Sequence, residues 1–326
     1  MELFDSLKFK VVRRGIKIAF PEATDTRILG AVARLKGEEL IDPVLIGNRK
    51  DIEAAAATRG ITIEGMTIYD PDDCARWDEI VETFVERRKG KTTKEQAEEL
   101  LKDENYFGTM LTYMGITDGL VSGAIHATSD TVRPALQIIK TKPGVSRTSG
   151  AFLMMRGNEQ EKYLFSDCAI NIDPNPQELA EIAVESAKTA DMFDIDPKVA
   201  MLSFSTKGSA KAPQADATIE ATKLAQKLDP ELLIDGELQF DAAYIQSVAH
   251  LKAPESEVAG KATVFVFPDL QSGNIGYKIA QRFGNFEAIG PILQGLNKPV
   301  SDLSRGCNEE DVYKLSIITA AQSLMA

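Results

Sequence analysis

Short apolar runs recur along the whole chain, separated by amphipathic stretches of helical period. That alternation admits few folds. Strands joined by helical crossovers build mainly parallel sheets flanked by helices, an α/β architecture. Strands are expected at 16–20, 43–47, 119–122, 151–155, 163–165, 199–204, 232–238, 263–267 and 288–292. Helix starts are marked by caps. Thr92 with Glu95 reads as a capping box for a helix to Leu101, and Asn175-Pro176-Gln177-Glu178 supplies an N-cap, an N1 proline and an N3 acid. Asn308 caps a final helix to about Met325, and a helix is expected over 134–140.

A chain of 326 residues exceeds one ordinary domain. The Pro- and Gly-marked stretches 141–145 and 297–299 read as crossings between two domains. Residues 1–145 with 293–326 then form one domain, and 146–292 an inserted second one. A cleft between such domains is where ligands usually bind.

The net charge of -12 argues against a nucleic-acid or anionic-membrane surface. No apolar run is long enough to span a bilayer and Met1–Asp5 lacks a signal pattern, so a cytoplasmic protein is expected. Cys74, Cys168 and Cys307 are scattered, and His126 and His250 lie far apart, so no metal site is expected. An acidic chain that binds anions must rely on a few placed arginines, which makes their positions informative.

In Asp302-Leu303-Ser304-Arg305-Gly306-Cys307-Asn308-Glu309-Glu310-Asp311, a hydroxyl, a guanidinium and a carboxylate crowd the entrance to a helix. Helix N-termini favour anions, and the planar fork of Arg305 suits phosphate or carboxylate oxygens. Gly306 would let the backbone bend sharply. Asp311 reads equally well as a helix-cap acid. Cys307 beside Arg305 could be a nucleophile, although no histidine adjoins it. A second candidate is the turn from Ser122 to Arg133, where small residues and the hydroxyls of Thr128, Ser129 and Thr131 let backbone amides approach a phosphate. Arg133 is read as part of that turn; the hydroxyls could equally be helix caps. Ser205-Thr206-Lys207-Gly208-Ser209 repeats the logic in the middle of the chain. Glu86-Arg87-Arg88-Lys89-Gly90-Lys91 closes a helix with a basic cluster, as the helix dipole alone would favour.

Together these segments resemble the phosphate acetyltransferase (phosphotransacetylase) family over essentially the whole chain. The resemblance is carried by Ser122-Gly123-Ala124 through Asp130-Thr131-Val132-Arg133-Pro134-Ala135-Leu136-Gln137, by Leu202–Ser209, and by Ser272-Gly273-Asn274-Ile275-Gly276-Tyr277-Lys278. Gly290-Pro291-Ile292-Leu293-Gln294-Gly295 and Asp302–Cys307 complete it. It implies two α/β domains similar to those of isocitrate and isopropylmalate dehydrogenases. The implied reaction is acetyl-CoA + phosphate ⇌ CoA + acetyl phosphate, by direct thiolate attack in a ternary complex in the inter-domain cleft. By the same resemblance Ser304, Arg305 and Asp311 act in the chemistry, and Arg133 and Arg87 face substrate, with Arg88 the alternative to Arg87. Ser129, Thr131, Ser205, Lys207 and Gly208 are the further candidates for substrate binding. Cys168 resembles a cysteine near the site that the chemistry does not require. Coenzyme A and acetyl-CoA are implied as substrates, with no tightly bound cofactor, no metal and a homodimeric assembly. Phosphate butyryltransferase and a non-catalytic acetyl-CoA-sensing module are the alternatives. A decarboxylating dehydrogenase would need an aspartate cluster and a dinucleotide pocket, and neither pattern is present.

Overall fold

The computed structural model describes residues 3–157 and 161–325. The chain opens with α1 (Leu3–Val11), β1 (Lys17–Phe20), α2 (Thr26–Gly37), β2 (Asp42–Ile46), α3 (Arg49–Thr58) and β3 (Thr67–Tyr69). Then come α4 (Trp77–Arg88), α5 (Lys94–Leu100), α6 (Glu104–Tyr113), β4 (Gly119–Ser122) and α7 (Thr128–Pro134), which runs into a π-helical turn at Ala135–Ile139. The middle of the chain holds β5 (Ser149–Arg156), β6 (Glu161–Ser166), α8 (Pro176–Met192), β7 (Lys198–Leu202), α9 (Pro213–Leu228) and β8 (Leu233–Leu238). It continues with α10 (Phe240–Tyr244), α11 (Gln246–Lys252), β9 (Val264–Val266), α12 (Leu270–Phe283) and β10 (Glu287–Gln294). β11 (Val300–Asp302) and α13 (Glu309–Ser323) close it.

Two compact units result, Met1–Thr141 with Leu296–Ala326, and Lys142–Gly295. The first carries a five-stranded sheet ordered β11-β4-β1-β2-β3, parallel at every pairing. Both faces are helix-covered, so its inner strands read as continuous apolar runs rather than alternating ones. The second unit has a six-stranded sheet ordered β10-β5-β6-β9-β7-β8. Its β10-β5-β6 edge is antiparallel and the rest parallel.

Several buried polar side chains organise this second unit. Gln294 Oε1 accepts hydrogen bonds from the hydroxyls of Ser149, Ser166 and Ser186, all buried. Asp167 accepts from the amides of Gly150, Ala169, Ile170 and Asn171. A Cβ at Gly273 would meet Asp167 O at 2.3 Å, so α12 can pack this close only with glycine there. Cys168 is fully buried, which holds its thiol well above the ordinary range.

Some local expectations need correction. The α5 box is formed by Thr93 and Gln96, one residue later than expected, because the buried Thr92 turns its hydroxyl to Arg88 Nε. The helix expected from Pro134 starts instead at Thr128, so Arg133 lies in the last turn of α7 and not in the preceding loop. Gly306 does not adopt left-handed backbone, and its turn is closed by Cys307 N donating to Ser304 O at 2.9 Å.

Candidate functional site

In the first unit, the C-terminal ends of the adjacent strands β11, β4 and β1 release the chain into loops that reach one another. This is the edge at which open parallel sheets bind ligands. β11 ends at Asp302 opposite Ser122, the last residue of β4. Leu303 N then donates to Ser122 O at 2.6 Å. Gly123 has φ +110°, and a Cβ there would lie 2.5 Å from Leu303 O and Asp302 Oδ1. Only glycine lets these two loops come so close.

Beyond that contact, Ser304, Arg305 and Gly306 are exposed and Cys307 is buried. Ser304 Oγ accepts from Gly306 N at 3.2 Å. Among the described residues the Arg305 guanidinium makes no ion pair. Asp311 sits in the first turn of α13 in a reciprocal capping box: Asn308 N donates to its Oδ2, and Asp311 N to Asn308 Oδ1, both at 2.9 Å. The cap is therefore real, and it takes one of the two carboxylate oxygens. Burial pushes the Cys307 thiol above its ordinary value; Arg27 opposes this while Asp311 and Asp25 add to it. That is the reverse of an activated nucleophile.

A turn of small residues follows β4, but its amides do not face outward. Ala124, Ile125 and His126 all donate to the buried Glu22 carboxylate at 2.7, 2.8 and 2.9 Å, and His126 Nδ1 lies 2.8 Å from the same group. A carboxylate of the protein occupies the position the sequence reading gave to a phosphate. Ser129 Oγ donates to Asp130 at 3.2 Å. Thr131 is buried, and among the described residues its Oγ1, Ser122 Oγ and Asp302 Oδ1 have no hydrogen-bond partner. Burial raises Asp302 to about 6, with the nearby Thr128 and Thr131 hydroxyls opposing and Glu22 adding.

The two arginines of the basic cluster differ. Arg87 donates to Ile138 O at 2.6 Å and Ile139 O at 3.0 Å, and stacks over the Tyr113 ring. It thereby satisfies carbonyls of the π-helical turn after α7. Among the described residues the Arg88 side chain makes one hydrogen bond, Nε donating to Thr92 Oγ1 at 3.4 Å. Arg133 is exposed on α7.

The third segment, Ser205–Gly208, belongs to the second unit. Here too a glutamate fills the turn: Ser205 Oγ and Gly208 N both donate to the buried Glu237 at 2.8 Å. Lys207 is paired with Asp235. These donors are satisfied internally, with Glu237 filling the turn that the sequence offered to a phosphate.

The residues that sequence reasoning missed are Glu22, Asp25 and Arg27. Arg27 donates to Arg305 O and Cys307 O at 3.0 Å each and to Ala124 O at 2.8 Å, and pairs with Asp25. An acid just beyond an apolar strand end, followed by the Asp-x-Arg of a helix N-cap, was the available signal.

Residues 2–320 match the family model described as phosphate acetyl/butaryl transferase. The chain is 62% identical to the phosphate acetyltransferase of Bacillus subtilis (strain 168), covering 99% of each. Its fold matches the crystal structure of a phosphotransacetylase from Streptococcus pyogenes with a TM-score of 0.98 at 61% identity, covering 99% of this chain and 98% of that one. The EutD phosphotransacetylase from Staphylococcus aureus matches with a TM-score of 0.94 at 56% identity, covering 98% of each.

Proposed function

The chain belongs to the phosphate acetyl/butaryl transferase family, and from that premise we propose how its residues divide the work of passing an acetyl group between coenzyme A and phosphate. The observation that carries the reading is the 304–311 segment, where an arginine without an ion pair among the described residues is presented beside a hydroxyl, just ahead of a helix whose first turn carries a carboxylate. In acetyl-CoA + phosphate ⇌ CoA + acetyl phosphate, negative charge develops on the carbonyl oxygen as the thiolate or the phosphate attacks. Arg305 neutralises that charge and Ser304 Oγ donates to it.

Asp311 removes the thiol proton through the oxygen not committed to the cap. Transfer from a thiol to an ordinary carboxylate is uphill by about 6 kcal/mol, so proton removal and attack must be coupled, with Arg305 stabilising the charge as it forms. Phosphate is a competent leaving group, and the scheme requires neither a resident metal nor a covalent enzyme intermediate. Arg133 and Arg88 are the cations offered to the phosphates of coenzyme A, while Arg87 braces the π-helical turn. Ser129 and Thr131 shape the wall beside them.

The enzyme works in the cytoplasm, where its three free cysteines suit a reducing compartment. It works as a homodimer. The face of α12 carrying Ile275, Ile279 and Phe283 is exposed apolar surface of the kind a partner subunit covers. The deciding experiment is arsenate-dependent release of CoA from acetyl-, propionyl- and butyryl-CoA. The acetyl thioester should turn over fastest; a preference for butyryl-CoA, or binding without turnover, would overturn the assignment.

A further inference from the structure

We infer that Arg27 is a positioning residue for the reaction: it staples the backbone of the 304–307 loop to the turn after β4 and so fixes where Arg305 and Ser304 can point. The inference rests on the proposed reading of that loop as the catalytic one.

Three carbonyl oxygens converge on this guanidinium. Nη1 donates to Arg305 O and to Cys307 O, both at 3.0 Å, and approaches Cys307 Sγ at 3.7 Å. Nη2 donates to Ala124 O at 2.8 Å. Its other hydrogen bonds go to Asp25: Nε to Oδ1 at 3.0 Å and Nη2 to Oδ2 at 2.8 Å, the bidentate geometry that orients a guanidinium best. Asp25 is in turn fixed as the N-cap of α2, accepting from Arg27 N. The carbonyl of Ala124 is more than half the chain away in sequence from those of Arg305 and Cys307, so no local turn could hold all three together.

Glu22 anchors the opposite side. It accepts the three amides of residues 124–126, while Arg27 takes the carbonyl of Ala124. The acid thus binds the donors of the turn and the base its acceptor, and the base alone continues to the loop. A lysine at position 27 has no planar fork and could not serve the three carbonyls and Asp25 together. None of the three contacts touches the Arg305 side chain, which leaves that guanidinium available for the chemistry.

The test compares Arg27→Gln and Arg27→Lys with the unaltered enzyme. It measures kcat, KM for CoA, melting temperature, and the rate at which Cys307 is alkylated, read peptide by peptide by mass spectrometry. In Arg27→Gln, kcat should fall about 100-fold through misplacement of the loop. KM for CoA should change less than about threefold. Cys307, buried when the loop is stapled, should alkylate several-fold faster in a protein that still unfolds cooperatively. Arg27→Lys should fall between, and added guanidinium ion at low concentration should partly restore Arg27→Gln. Slow Cys307 alkylation together with more than half the normal kcat would overturn the staple. Fast alkylation with normal kcat would show a loosened loop that chemistry does not need, and so would overturn the reading on which the proposal rests.

Discussion

At the scale of single residues, the sharpest question is what Asp311 does besides capping α13. The box with Asn308 is present, so the cap predicts a loss of about 0.3–1 kcal/mol in Asp311→Asn with turnover near normal. The base predicts a loss of about 100- to 10,000-fold in rate, easing as pH rises past the thiol range because CoA then ionises unaided. We expect the second outcome, measured as kcat against pH; a normal rate at neutral pH would leave Asp311 as a cap. Arg305→Gln should lower turnover about 100-fold or more, the cost of one preorganised oxyanion donor. Cys307 gives the contrast. Its thiol is buried and raised by that burial, so Cys307→Ala should stay active and no acetylated enzyme should be found by mass spectrometry.

Among the elements, the close pass of the β4 and β11 loops over Gly123 is the feature a single methyl can test. Gly123→Ala adds a Cβ 2.5 Å from Leu303 O at a φ that side chains disfavour. Backbone must move, and a loss of about 1–3 kcal/mol in stability is expected from strain and overpacking, together with a drop in kcat. Unchanged melting and turnover would mean that the loops separate freely. The sequence made the elements legible where a long apolar run or a strong cap marked them. Strand 119–122 and the caps at Asn175 and Asn308 were read at their true positions. Thr67–Tyr69 and Val300–Asp302 went unread because each is only three residues long and lacks the apolar run that marks the equally short Val264–Val266. The α7 start was obscured because its N-cap is Ala127, which offers no side-chain signal. The grouping of Ser304, Arg305 and Asp311 was visible because they are consecutive or nearly so. The Arg27 and Glu22 contacts were not, since they join segments about 100 to 280 residues apart.

For the whole molecule, stability should depend on pH through groups buried near the functional end of the first sheet. Burial holds Asp302 at about 6 and Glu104 at about 7, both above their unfolded values. The folded state keeps these protons longer, so their contribution is greatest in acid and is lost as pH rises through the window from about 4 to about 7. Asp302→Asn removes one of them, so it should raise the melting temperature relative to the unaltered enzyme more at about pH 8 than at about pH 5. An equal difference at both would deny Asp302 that cost. Assembly is tested by sedimentation: Phe283→Asp, on a side chain 87% exposed, should convert a dimer to a folded monomer. One further consequence belongs to the glutamate-filled turns. Surface turns ordinarily lose their amide protons to deuterated solvent quickly, and functional loops are usually drawn from the least stable parts of a fold. Here the amides of Ala124, Ile125, His126 and, in the other unit, Gly208 are held by buried carboxylates, so they should trade hydrogen for deuterium about as slowly as the strands beside them.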